Sequence, residues 1–590
     1  MPIDPVTLEI LRNKFEVIAD EMQSTLIMSS YSSVVKEGKD ASAALFSAQG
    51  ETIAQAREAL PAHLGMLEPA IHSILNRFPT ESMRPGDVFI MNDPYDGGTH
   101  LPDITLVVPV VHEGDIVALS CTMTHHQDVG GKTPGSIPTD ATEIYQEGLI
   151  IPPLKLYDQG TPNQTLIAMI RKNVRIPDIV MGDLDAQLAA GNVGRNRLLE
   201  VFNQYGRRIV SGAVYELFDH AEKMTRSCIE EIPDGTYSFT DYLDNDGVAL
   251  DKRVKVQVTI TIAGSDFHVD FTGSHPQTAG PINCVPSPTL SSIYYVVRAI
   301  TDPAIPNNYG CYRPVHVHLP EGTIVNCRPP AAVNARRVVM TRIIESMFGA
   351  LFPAIPHKVI AASAGLTVHI AFGGLDPKTG RRFVLGELIA GGQGARPNGD
   401  GLEFITSDIS NSRNMPVEAL ELDFPFLIHG YNLREDGAGA GRFRGGLGIE
   451  KVFELLRGEV TVSYRGERHF LRPWGLDGGL PAKPWQAVVI RKSGHREEIH
   501  SKAVMQLGAG DRLMIRTAGG GGFGRPWERD PALVLADIRD GKISQASARE
   551  QYGVISKADG DLDETATARA RREISASGVT GLPLTDVSVQ

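Results

Sequence analysis

Long apolar runs are missing from this chain of 590 residues. Nowhere do about 18 apolar residues follow one another, as a membrane-spanning helix requires. The opening stretch, MPIDPVTLEILRNKFEVIAD, carries acidic groups where a secretory signal has a basic start and an apolar core. A cytoplasmic protein, neither exported nor embedded in a membrane, is expected. Cysteine is scarce: Cys121, Cys228, Cys284, Cys311 and Cys327 are odd in number, widely spaced and without a C-x-x-C pair. That excludes a disulfide frame and a thiolate zinc site, and it agrees with a reducing compartment. An excess of basic charge is also absent, since 57 Lys and Arg face 70 Asp and Glu, interspersed, for a net charge of -13. No electrostatic footprint for a nucleic-acid backbone results.

Familiar nucleotide and nucleophile motifs are missing too. The nearest approach to a P-loop, Gly131-Lys132-Thr133, needs a glycine at 126, where His126 stands. TAGGGGFG lacks the following lysine, and GAGAGRFRGG offers Arg442 and Arg444 without the strand-to-helix setting of a dinucleotide fold. These glycines read as tight turns in a β-rich lobe, and a nucleotide, where one is used, is expected to bind elsewhere. No Gly-x-Ser-x-Gly elbow is present and no cysteine has catalytic flanks, so covalent nucleophilic catalysis is disfavoured.

What is present is an ordinary globular composition, 42% hydrophobic and 22% charged, in a chain too long for one simple core. Between Val6 and Met28, the positions Leu8, Leu11, Phe15, Ile18, Met22 and Leu26 recur at helical spacing and predict an amphipathic helix of about six turns. From Ala41 to Val129, SAALFSA, DVFIM, ITLVVPVV and IVALSCTM read as strands punctuated by turns. Pro177 to Ile232 reads as helical, interrupted at Gly191 and Gly194 and ending at Pro233-Asp234-Gly235. RVKVQVTITIAGSDFHVDFTG has the alternation and central Gly turn of a β-hairpin. After Pro526, DPALVLADIRDGKISQASAREQYG predicts two helices around a Gly turn. No internal repeat is apparent. The expected fold is α+β and multi-lobed, with mixed and antiparallel sheets and helices at both ends. Its divisions are an α/β domain over 1–232, a β-rich middle over 233–345, a Gly-rich β lobe over 346–526 and a helical tail over 527–590.

The densest chemistry lies in NDPYDGGTHLPDITLVV and TMTHHQDVGG, each at one end of an apolar strand. His100 and Asp103 flank Leu101-Pro102, and the proline stiffens a turn in which imidazole and carboxylate can converge. A hairpin through HEGD would bring His125 beside them. Two histidines and one carboxylate suit Zn²⁺, Mn²⁺ or Fe²⁺ with positions left for water or substrate, and zinc is the first expectation. That makes 1–232 the metal-binding domain. His125 and His126 are adjacent, so on a strand only one faces the site, and the other, with Asp128, is assigned to the surrounding shell, orienting an imidazole or moving a proton. Asp40 is a further ligand candidate that spacing alone does not bring near. His63, in ALPAHLGML, reads as a buried, satisfied side chain, while Glu147, Arg336, Arg396, Asn411 and Asn414 read equally well as turn caps or ion-pair members.

These stretches, together with DPVTLEILRN, EGKDASAALFS, EGLIIPP, IPNNYGCYRP, GAGRFRGGLG and TAGGGGFG in that order, make the chain resemble the hydantoinase B/oxoprolinase family over nearly its whole length. That family also contains the metal-bearing subunits of acetone and acetophenone carboxylases. The resemblance implies a hydantoinase A-like partner, in an A2B2 assembly, that binds ATP with Mg²⁺ and phosphorylates a carbonyl oxygen. It implies metal ligands at His100, Asp103 and His125, with Asp40 matching a further ligand position in the amidohydrolase branch. The expected activity is ATP-dependent opening of a small cyclic amide, such as a hydantoin, 5-oxoproline or a lactam, by water activated at the metal. Carboxylation of a ketone and a non-catalytic scaffold for the ATPase are the alternatives.

Overall fold

The computed structural model describes residues 3–63, 65–406 and 408–576, so the end of the expected helical tail, 577–590, lies outside the described residues. The fold is mixed α+β, with four mostly antiparallel sheets and helices at both ends of the chain. Among the described residues no helix is long and apolar enough to cross a membrane.

The first layer begins with α1 (Pro5–Ser29), started by Asp4, whose carboxylate accepts the Thr7 N–H, and by Pro5 in the first turn. Then follow α2 (Ser33–Lys36), β1 (Ala41–Ser47), β2 (Thr52–Gln55), α3 (Leu67–Arg77), β3 (Val88–Met91), β4 (Asp103–His112), β5 (Asp115–His125), β6 (Leu154–Asp158), β7 (Thr161–Pro162), α4 (Gln164–Asn173), α5 (Pro177–Tyr205) and α6 (Arg207–Glu230). The strands form one seven-stranded sheet in the order β2-β1-β5-β4-β3-β6-β7. Both faces are covered, which is why β1, β4 and β5 are nearly uninterrupted apolar runs. Ala41, Ala43 and Leu45 meet Leu11, Phe15, Ile18, Met22 and Leu26 of α1 in one core. Ala44 and Phe46 point the other way, into a second core with Ile71 and Ile74 of α3. Burying those five α1 side chains contributes on the order of 10 kcal/mol before chain entropy is subtracted.

Gly191 and Gly194 do not interrupt the helical stretch as expected. Both lie inside the unbroken α5, where an added Cβ would collide with Val108 of β4 and with Ser120 of β5 and Met22 of α1. The glycines let helix and sheet approach closely, so their helix-weakening cost is offset by packing.

The second sheet, in the order β11-β10-β9-β8, is built from β8 (Gly235–Leu243), β9 (Val254–Ala263), β10 (Asp266–Asp270) and, after α7 (Pro286–Ile300), β11 (Val315–His318). β9 and β10 form the expected hairpin, with Asp266 opposite Ala263 across the Gly264 turn. The next helix, α8 (Arg337–Leu351), is buried along nearly its whole length and packs on β8, β9 and α7. β12 (Val368–Asp376), β13 (Arg381–Ile389), α9 (Val417–Asp423), β14 (Phe426–Leu433), β15 (Ile449–Leu455), β16 (Glu459–Arg465), β17 (Gln486–Ile490), β18 (Arg496–Ile499), β19 (Lys502–Gly508) and β20 (Arg512–Arg516) supply the remaining two sheets, β13-β12-β16-β19 and β14-β15-β20-β17-β18. The tail comprises α10 (Pro531–Arg539), a left-handed Gly541, α11 (Gln545–Tyr552) and α12 (Glu564–Ala576). One hydrophobic core joins all four sheets, from Phe46 and Val107 through Val256 and Ile343 to Ile370, Phe453 and Trp485.

The glycine-dense segments depart from the tight turns expected of them. Gly519 to Gly522 have no positive φ, but an added Cβ at each would strike the backbone of Gly437, Gln393, Trp474 or Ala440. Four Gly-rich segments therefore cross backbone to backbone, bonded for example from Gly439 N to Gly520 O and from Gly521 N to Ala362 O. Absence of a side chain, rather than freedom of φ, is what these positions need.

Candidate metal centre

Register assembles the centre. In the β4–β5 hairpin Asp103 stands directly opposite His125, and Ala41 opposite Thr124 places Asp40 at the neighbouring strand end, where its carbonyl accepts the His125 N–H at 3.1 Å. A slip of one residue would turn His125 to the other sheet face. His100 precedes β4 in a turn closed by the Asp103 N–H donating to the His100 carbonyl at 3.0 Å.

Three side-chain atoms meet here. His100 Nε2 lies 3.0 Å from Asp103 Oδ1 and 3.1 Å from His125 Nδ1, and His125 Nδ1 lies 3.2 Å from Asp103 Oδ1. Among the described residues, these three form the one group of His, Cys, Asp or Glu placed to hold a metal ion. All three are at least 95% buried. Two N–H groups donating to Asp103 Oδ1 would account for two edges of this triangle but would leave two donors facing each other across the 3.1 Å His100 Nε2–His125 Nδ1 edge. A divalent ion fits it: donors on one face of a six-coordinate site with bonds of about 2.1 Å stand roughly 3.0 Å apart, and in a tetrahedral site roughly 3.4 Å.

The protonation states suit ligation. Burial, reinforced by Arg336, holds the His100 imidazole well below its ordinary pKa, so it is neutral. Burial alone would raise Asp103, but the hydrogen bond with His100 and the Arg336 guanidinium outweigh it and keep the carboxyl well below the usual range. Asp103 Oδ2 accepts from Arg336 Nη2 at 2.7 Å and Thr99 Oγ1 at 2.5 Å, which orients Oδ1 toward the imidazoles.

The centre lies in a cavity of about 20 Å³, lined also by Asp40, His63, Arg336, Arg337, His369 and Arg465. It forms where the first sheet, the start of α8 and the third sheet meet. His369 and Arg465 face each other in register on β12 and β16, and Arg465 Nη2 lies 3.3 Å from His369 Nδ1. Burial, with Arg337 and Arg336 nearby, pushes the Arg465 guanidinium down to about 9.

Of the residues singled out in the sequence, His100, Asp103 and His125 come together, and Asp40 stands on the cavity wall without joining the triangle. His126 and Asp128 are elsewhere. His126 points to the opposite sheet face, its Nε2 2.9 Å from Gln187 Oε1 on α5. Asp128 does not orient an imidazole: its oxygens accept from the N–H groups of Gly130, Gly135 and Arg175 and from Arg175 Nη1, which commits it to the loop after β5. His63 is buried and lies 2.8 Å from Ser42 Oγ, as a satisfied side chain, yet it also lines the cavity. Arg336 is the ion-pair member among the remaining polar groups. Glu147 caps the loop ahead of it, accepting from Val333 N and Asn334 N, and burial raises its carboxyl to about 8. Arg396 donates to the Asp400 carbonyl, Asn411 to that of Glu58 and Asn414 to that of Leu388, all away from the cavity. Arg337, His369 and Arg465 escaped sequence reasoning. The available signals were weak: a lone histidine in the apolar strand LTVHIAF, and arginines in NARRVV and SYRGERH that look like surface charge.

Known proteins place this geometry in context. The caprolactamase subunit beta of Pseudomonas jessenii is 35% identical over 577 residues, 96% of this chain and 98% of that one. The 5-oxoprolinase of Dictyostelium discoideum is 33% identical over 538 residues, 89% of this chain but 40% of that protein. The crystal structure of the ATP-dependent caprolactamase from Pseudomonas jessenii superposes with a TM-score of 0.91 at 32% identity, covering 97% of this chain and all of that one. With the Hydantoinase B/oxoprolinase model matching residues 4–526, this chain belongs to the hydantoinase B/oxoprolinase family.

Proposed function

We propose that this chain is the metal-bearing subunit of an ATP-dependent hydrolase of cyclic amides and works with a separately made, hydantoinase A-like ATP-binding subunit. The observation that carries the reading is the buried triangle of His100 Nε2, Asp103 Oδ1 and His125 Nδ1 at paired strand ends. Two features support the partner. The chain has no P-loop, and it accounts for 40% of the 5-oxoprolinase it matches, leaving length in that protein for another unit.

Amide resonance resists attack by water, so the partner's role in this scheme is to transfer the γ-phosphoryl group of ATP to the carbonyl oxygen. Net, one water adds across the ring C–N bond, giving carboxylate and amine, and a second carries the phosphoryl group off as inorganic phosphate. His100, Asp103 and His125 would hold a divalent ion, with zinc first and manganese or iron as alternatives. Bound there, such an ion would supply the Lewis acidity that makes water nucleophilic near neutral pH. Arg336 and Thr99 fix the carboxylate, and the burial of all three donor side chains keeps bulk water out. Asp40, on the wall, is placed to serve as a further ligand or to take a proton. His126 and Asp128 act on the strand and loop behind the site.

The test is metal content by mass spectrometry on the wild type, His100→Ala and His125→Ala, with ATP-dependent ring opening assayed after addition of the partner. Near-stoichiometric metal, lost together with activity in both variants, is the expected result. Full metal retention in both would remove the ligand assignment.

A further inference from the structure

The cavity holds more positive charge than its own residues balance. Arg336, Arg337 and Arg465 line it against two carboxylates, Asp40 and Asp103. Arg336 gives Nη2 to Asp103 but has no partner for Nε, and Arg465 gives Nη1 to Asn334 O and likewise leaves Nε unpaired. Arg337 is partly buried, and its Nη2 is sealed from solvent without an acceptor. Arg336 is 7% exposed and Arg465 2%, so bulk water solvates neither. α8 begins at Arg337, so its N-terminal partial positive charge adds to the same end of the cavity. Glu147 behind Arg336, at about 8, adds little negative charge near neutrality.

Three guanidinium groups against two carboxylates leave one positive unit, and a divalent ion makes it three. Buried charge without a counter-charge is strongly unfavourable, so this composition suits a cavity that receives an anion.

We propose that Arg336, Arg337 and Arg465 form an oxyanion site beside the metal position, and that it receives the phosphoryl group of the activated amide. The proposal rests on the reading above, in which the substrate arrives phosphorylated. A dianionic phosphoryl group and one singly charged nucleophile cancel the three units, and guanidinium forks match phosphate oxygens in pairs. The present cavity, at about 20 Å³, has room for about one water. Entry of a phosphoryl group therefore requires the cavity to widen, and Arg337 is the least buried of the three arginines that line it.

The experiment titrates metal-loaded protein with inorganic phosphate by calorimetry, comparing wild type with Arg337→Gln, Arg337→Lys and Arg465→Gln, and measures metal content on every sample. Saturable binding to the wild type is expected, weakened about tenfold or more in both glutamine variants and partly restored by Arg337→Lys, with metal unchanged in Arg337→Gln. Acetate should not displace phosphate. Unchanged phosphate affinity in both glutamine variants, or no binding to wild type carrying stoichiometric metal, overturns the proposal. Acetate binding without phosphate binding also overturns it, assigning the arginines to a substrate carboxylate. The broader functional reading fails separately, when phosphate binds in an arginine-dependent way but no ring opens with partner and ATP present.

Discussion

Two buried charged clusters lie on α8, and they differ in balance. Near the middle of the helix, Arg342 and Arg468 meet Asp241 at 3.0 and 2.9 Å, Arg468 meets Glu345 at 2.6 Å, and Lys502 meets Glu467 at 2.9 Å. Three cations there face three carboxylates, while the neighbouring Asp244 accepts from backbone N–H groups of His469 to Leu471. At the start of the helix, Arg336, Arg337 and Arg465 outnumber Asp40 and Asp103, although single guanidinium nitrogens without an acceptor occur in both clusters, Arg342 Nε and Arg468 Nε in one, Arg336 Nε and Arg465 Nε in the other. A balanced cluster joins sheets; an unbalanced one is organised around something that arrives. Burial alone does not tell them apart, since both are almost closed to solvent. The ratio of guanidinium and ammonium groups to carboxylates does.

The sharpest way to break this comparison is Asp103→Asn. Removing one charge from the unbalanced cluster should abolish metal retention and lower ring-opening turnover on the order of 10³-fold or more, read by mass spectrometry and kcat. Unaltered turnover would mean that the cavity is structural like its neighbour. Next is Arg468→Met, which leaves Asp241 and Glu345 short of a partner and should cost about 3–5 kcal/mol in urea unfolding. The folded fraction should still carry metal, and a variant that melts normally but loses metal would merge the two clusters into one functional unit.

A smaller effect is expected at Glu147. Its folded pKa, raised by burial to about 8, lies above the ordinary 4.5, so the folded state holds a proton that the unfolded chain has released between those values. Its contribution is complete below about pH 4.5 and is lost as pH rises toward 8. Glu147→Gln should flatten that decline by on the order of 3 kcal/mol between pH 5 and 8, and an unchanged slope in pH-dependent melts would rule this out. The smallest shift belongs to Arg337→Gln: stability within about 1 kcal/mol of wild type, or slightly above it, because an uncompensated cation is removed. A large destabilisation there would show that Arg337 is balanced after all.

Legibility followed sequence distance. The amphipathic α1, the β4–β5 hairpin, the β9–β10 hairpin and the two helices after Pro526 were readable because each rests on a local period or turn. Gly191, Gly194 and Gly519 to Gly522 were misread as punctuation, because a glycine that permits close approach carries the same letter as one that permits a turn. Asp128 was misassigned for a similar reason: proximity to His125 and His126 in the chain says nothing about which backbone N–H groups its carboxylate will accept.

By itself the sequence determined the seed of the centre. His100 and Asp103 are separated by a stiffened turn, and His125 returns along the next strand, so hairpin pairing is enough to bring them to one point. Only the tertiary structure decided what surrounds them. Arg336 and Arg337 arrive at the start of α8, and His369 and Arg465 on two strands of another sheet, through packing contacts that leave no local periodicity to read. The cavity's charge is a sum over segments far apart in the chain, and such a sum exists only once the sheets have met.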